Sequence, residues 1–184
     1  MSTNLNPSCP TNCDSLLPEN TYNICKQTIA TGEIGRIYLA NGNAECFTDW
    51  TASAEWLARI SQDSLDPDAI RQFRGIGDLP AGANDETIIS LGQKYYGEKT
   101  FTINFDIEDV SDENYNFLRV LECQNTVKMW FEAGGYLWGG NCGVDVNINA
   151  NYVIERGQKT LHHIMLVISW DYNYSPERTT SPIA

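Results

Sequence analysis

Phe101, Ile103, Phe105 and Ile107 alternate with Thr100, Thr102, Asn104, Asp106 and Glu108. Successive side chains of a strand point to opposite faces, so this pattern predicts a half-buried strand with one wet face. Val144, Val146, Ile148, Ala150, Tyr152 and Ile154 repeat the pattern against Asp145, Asn147, Asn149 and Asn151. That second strand is about twice the usual length. Leu161–Tyr172 differs: Leu161/His163/Met165/Val167 and Ile164/Leu166/Ile168/Trp170 form two largely apolar faces. Such a segment is expected to sit centrally and to be covered on both sides. Glu33-Ile-Gly-Arg-Ile-Tyr-Leu-Ala and Val127–Ala133 read as further strands, with shorter ones around Ile70–Phe73 and Thr87–Gln93. Asn41-Gly42 tolerates the positive φ of a tight turn and predicts a hairpin after the first strand.

Two segments change to helical spacing. Trp50, Ala54, Leu57 and Ile60 fall on one helical face behind Thr48, Asp49 or Thr51 as caps. A second helix is expected over 112–122, with Ser111 as its cap. There Asp112 and Glu113 occupy the first turn, where the helix dipole favours anions, and Val110 can staple onto Tyr115. Phe101, Phe105, Leu118, Leu121, Met165, Val167 and Trp170 are expected to share one core. Residues 61–86 hold Asp63, Asp66, Pro67, Asp68, Gly75, Gly77, Pro80, Gly82 and Asn84 and read as a long irregular connection.

The tally is seven or eight strands and two short helices with no βαβ rhythm and no internal repeat. The expected fold is therefore mainly β, an antiparallel sandwich or barrel with flanking helices. Residues 1–20 are rich in Asn, Pro, Ser and Thr and read as an extended N-terminal arm. Residues 21–173 make one β-rich domain, and 174–184, again polar and Pro-punctuated, make an extended C-terminal tail.

At 184 residues the chain can bury a full core without staples. Twelve Lys and Arg against 24 Asp and Glu give a net charge of -12, which opposes binding to phosphate backbones. The start lacks the basic and apolar regions of a secretory signal, and no apolar run approaches membrane-spanning length. A cytosol-like compartment is expected, and with it free buried thiols at Cys9, Cys13, Cys25, Cys46, Cys123 and Cys142. Cys9, Cys13, Cys25 and Cys46 could instead form a four-thiolate zinc site, although the C-x3-C start has no second tight knuckle, and an opportunistic disulfide is the other alternative to free thiols.

Candidate chemistry is sparse. His162 and His163 are adjacent, so in a strand they diverge and cannot reach one metal or substrate together. No nucleophile elbow, phosphate loop, zincin or dinucleotide motif is present. Asp63, Asp66 and Asp68 make an acidic knot without full EF-hand spacing. Tyr136-Leu-Trp138 invites a carbohydrate platform, though core packing accounts for such aromatics more often. Asp106, Glu108, Asp109, Asp112 and Glu113 make an acidic stretch with no base between Lys99 and Arg119. No catalytic, cofactor or metal residue is assigned.

The order of elements, with Lys99-Thr-Phe-Thr-Ile-Asn-Phe-Asp-Ile, the helix Asp112–Glu122 and the strand Val144–Ile154 leading into Leu161–Trp170, resembles the tail tube proteins of tailed bacteriophages. The resemblance spans roughly residues 30–172. It implies a virion structural protein, made in the host cytoplasm and needing no cofactor or membrane. It implies stacked, commonly hexameric rings of identical subunits that meet other virion proteins and pass DNA without binding it specifically. Asp145, Asn147, Asn149 and Asn151, with Asp106 and Glu108, are then the expected lumen-facing residues. An acidic wall offers no cations to displace the counterions of the duplex. A capsid decoration or fibre-like protein and a carbohydrate-binding β-sandwich module are the alternatives; the latter needs Trp138 or Trp130 exposed.

Overall fold

The computed structural model describes residues 33–63, 66–89, 93–121, 123, 126–153 and 162–183. The N-terminal arm and Cys9, Cys13 and Cys25 lie outside them. In chain order the elements are β1 (Glu33–Asn41), α1 (Ser53–Ile60), β2 (Arg71–Asp78), β3 (Ala83–Ile89), β4 (Gln93–Ile107), α2 (Asp112–Leu121), β5 (Val127–Ala133), β6 (Tyr136–Trp138), β7 (Val144–Val153), β8 (His163–Tyr172) and β9 (Arg178–Thr180). The protein is mainly β with two helices. Strands β1, β2, β4, β8, β7 and β5 follow one another in the sheet, and β5 pairs back onto β1, so six antiparallel strands close a barrel.

The barrel interior is filled from all six barrel strands: Ile34, Ile37, Leu39, Phe73, Phe101, Ile103, Phe105, Ile107, Met129, Phe131, Val146, Ala150, Leu166, Ile168 and Trp170 are all buried there. Leu118 and Leu121 of α2 join the same cluster. The expected core therefore holds except for Met165 and Val167, which are half-buried on the outer face of β8. Their parity is opposite to that of Leu166 and Trp170, and β8 is flanked by β4 and β7 but not buried on both faces.

A second cluster lies outside the barrel wall, on the other face of β1 and β5. Tyr38, Ala40, Phe47, Trp50, Trp56 and Trp130 are buried in it. Trp56 is fully buried whereas Leu57 is 56% exposed, so α1 is rotated from the expected face. The helix enters on Ala52 with no side-chain cap. The Glu55 carboxylate instead accepts the Thr48 and Asp49 backbone N–H groups, each at 3.1 Å. Arg59 is almost buried with its charge satisfied. Its guanidinium donates to Glu45 O at 2.6 Å, Cys46 O at 3.1 Å and Glu55 Oε1 at 3.2 Å, and lies 4.2 Å over the Phe47 ring. Burial holds the Tyr38 phenol above its ordinary pKa, against the opposing pull of Arg36.

Several connections differ from the sequence reading. The Asn41-Gly42 turn is present, with Ala44 N–H donating to Asn41 O at 2.9 Å, but no partner strand follows it. β1 pairs instead with β2 and β5. Much of the segment read as irregular, 61–86, is strand. Gly75 and Gly77 read as loop residues, yet they sit where β2 crosses tightly over β4. A Cβ on Gly75 would collide with Asp106 O and approach the Phe105 ring to 2.8 Å. Gly75→Ala is therefore expected to destabilise the protein by about 2 kcal/mol through overpacking. Gly35→Ala, where nothing lies within 4 Å, should stay within about 0.5 kcal/mol. Chemical denaturation of the two variants side by side gives the comparison, and equal losses would mean that the β2–β4 crossing is not tight.

The C-terminal segment, expected as an extended tail, runs extended but is docked on its own domain. β9 pairs antiparallel with β6, Ser181 N–H donates to Gly135 O at 2.9 Å, and the Ile183 carbonyl accepts from Arg36 Nη1 at 3.4 Å. Neither three-residue strand has a hydrophobic alternation long enough to register in sequence.

Candidate functional site

The outer face of β4, β8 and β7 gathers most of the residues singled out above. Cross-strand register places Asp106 beside Met165 and Met165 beside Asn151. The next row is Asn104, Val167 and Asn149, followed by Thr102, Ser169 and Asn147. Thr100 pairs with Asp171 beyond these, and its hydroxyl donates to Asp171 Oδ1 at 2.6 Å. Asn147 and Asn149 are exposed, while Asp106 and Asn151 are half-buried. The alternation along β4 and β7 forces this arrangement, because their apolar parities already fill the barrel.

Two expected members stand at the margin. Asp145 keeps the outward parity of β7 and is exposed, but it pairs with Lys128 of β5 instead of joining the rows on β8. Glu108 is exposed just past the end of β4. β8, expected to be covered, contributes His163, Met165, Val167, Ser169 and Asp171 to the face. Sequence reading missed them because Met165 and Val167 make the outward parity look apolar. None of the described outward positions between Thr100 and Asp106, Asp145 and Asn151, or His163 and Asp171 is Lys or Arg.

The flanking strands β4 and β7 give this face amides, hydroxyls and carboxylates, while His163, Met165 and Val167 of β8 lie between them. His163 Nε2 lies 3.7 Å from Asp106 Oδ1, which is ion-pair range but too long for a hydrogen bond. Asp106 Oδ1 makes no hydrogen bond among the described residues.

The remaining candidates resolve into structural roles. Cys46 and Cys142 form a disulfide, with S–S at 2.05 Å, which corrects the expectation of free thiols at both positions. It also removes Cys46 from any four-thiolate zinc site. Cys123 is free and exposed. Asp66 Oδ1 accepts the Asp68 N–H at 2.9 Å and Asp68 Oδ1 accepts the Glu45 N–H at 2.6 Å, so this acidic knot is engaged in turn geometry. Trp130 is completely buried and Trp138 stacks on Phe131 at 5.8 Å. The Arg178 guanidinium covers Tyr136 at 4.8 Å and Trp138 at 5.4 Å, so no open aromatic platform is presented there.

No family model matches the chain, and no curated protein or solved structure matches it either.

Proposed function

We propose that this chain is a virion structural protein that self-assembles into stacked rings, forming a tail tube through which DNA is delivered. The observation that supports this reading best is the polar face of β4, β8 and β7. Its β4 and β7 rows present Asp106, Asn104, Thr102, Asn147, Asn149 and Asn151 on either side of His163, Met165, Val167 and Ser169 of β8, with no Lys or Arg among these positions. A wall of this composition stays wet and lets a polyanion pass, since it holds no cation that could replace released counterions. The closed barrel suits a repeating subunit, because a rigid body with few free edges stacks without uncontrolled strand pairing.

Electron microscopy of the concentrated protein separates the readings. Rings or tubes are expected; monomers or trimers favour a decoration or fibre role. Within assembled particles, Asn147→Lys with Asn149→Lys is the sharper test. Asn147 and Asn149 are chosen over Asp145 because Asp145 already faces Lys128. Both positions are exposed, so stability should change by no more than about 0.5 kcal/mol. DNA delivery should fall at low salt and recover partly at high salt, because lysines would bind phosphate there. Normal delivery at low salt would remove the channel-wall assignment.

A further inference from the structure

The disulfide joins two loops that lie 96 residues apart in sequence. Cys46 is exposed and Cys142 half-buried, so the bond sits at the surface within reach of a thiolate. Cys142 belongs to the turn 139–143, Gly-Gly-Asn-Cys-Gly, in which Gly139, Gly140 and Gly143 all have positive φ. Such a turn loses much conformational freedom on folding and depends on its neighbours to stay closed. Trp130 Nε1–H donates to Gly140 O at 2.8 Å, Phe47 N–H to Asn141 O at 2.8 Å, and Trp50 N–H to Asn141 Oδ1 at 3.4 Å.

The same turn holds the C-terminal segment. Gly139 N–H donates to Glu177 O at 2.9 Å, immediately before β9. A Cβ on Gly140 would stand 3.2 Å from Glu177 Oε2, so the turn and residue 177 are in close contact. Strand β9 adds only three paired positions, all to the equally short β6 that leads into this turn. The barrel interior, by contrast, is packed on the opposite face of β5 from Trp130.

We infer that the Cys46–Cys142 bond is a redox-sensitive latch that holds the C-terminal strand on the barrel. A dithiol reduces it by supplying two electrons and two protons, leaving two cysteine thiols and closing to its own disulfide. The turn 139–143 then loses its covalent tie to the 42–52 loop and Glu177 loses its bond to Gly139, which leaves β9 held only by β6, Gly135 and Arg36. The six-stranded barrel stays closed. This goes beyond the structural role proposed above, because it puts the availability of the C-terminal strand under thiol control.

The test is limited trypsin cleavage after Arg178, which releases Thr179–Ala184 as a peptide countable by mass spectrometry. Release from dithiothreitol-reduced protein is expected to be at least about ten-fold faster than from oxidised protein, since it follows the local opening equilibrium. Reoxidation should restore protection. Cys46→Ser, kept in oxidising buffer, should reproduce the fast release with the turn sequence 139–143 and all other thiols intact. Hydrogen exchange of the β4 and β8 amides, followed in the same samples, should not change. Equal release rates in the two redox states would overturn the latch. So would exchange in β4 and β8 that rises together with release, since reduction would then be unfolding the whole domain.

Discussion

Trp130→Ala is expected to lower the free energy of unfolding by about 5 kcal/mol, the upper end for a buried aromatic truncation. The ring is completely buried. It meets Phe47 and Trp56 edge-to-face, with centroids at 5.4 and 5.5 Å. Gly139 and Gly143 fit against its two ends, where a Cβ would come within 2.5 Å and 2.8 Å of the indole. Truncation therefore leaves a cavity that the glycine turn cannot fill, and it strips Gly140 O of the indole N–H. Trp130→Phe separates these effects: it keeps most of the ring and should cost about 2 kcal/mol, mainly for the unpaired carbonyl and the smaller ring. Denaturant unfolding measures both. A loss near 1 kcal/mol for Trp130→Ala would mean that the 139–143 turn does not grip the ring.

Phe105→Ala is expected to cost about 4 kcal/mol. Phe105 is fully buried in the barrel and lies under the β2 crossing, where Gly75 and Gly77 leave space for its ring. The β2–β4 junction has only two paired positions, Ile76 with Asp106 and Gly77 with Phe105, so side-chain packing carries much of its stability. The loss should appear in the midpoint of urea unfolding. A value below about 1 kcal/mol would mean that the alternating strand is not packed inward at this position.

The alternating strands were the part of the fold most legible in sequence. In β4 and β7 one parity is strongly apolar and the other polar, so a single pattern announces both the core and the wet face, including Asp106, Asn147, Asn149 and Asn151. β8 was legible as a central strand but not in its facing, because Met165 and Val167 on the outer parity are apolar and His163 is ambiguous. α1 was legible as a helix, whereas its buried face was decided by Trp56 turning into an aromatic cluster formed from distant residues such as Trp130. The pairing of Cys46 with Cys142 had no local signal at all, since six cysteines allow fifteen complete pairings. β6 and β9 were invisible because three residues carry no periodicity, and β9 is fixed by contacts with the 135–139 region that only the folded chain brings near. The wet face is therefore largely written in local pattern, while the Cys46–Cys142 bond and the docking of β9 are written in tertiary contacts.

β1 and β5 have a packed cluster on each of their two faces, with Ile37 and Leu39 facing inward and Tyr38 and Ala40 outward. Drift in sequence over evolutionary time is thereby partitioned unevenly around the wall. Along β4 and β7 core packing constrains only every second position, so the alternate positions can change without altering the shape of the barrel. Along Ile37–Ala40 of β1 and Met129–Phe131 of β5 every position is buried and no such alternate freedom exists, so these adjacent stretches form the part of the wall where substitution is most constrained.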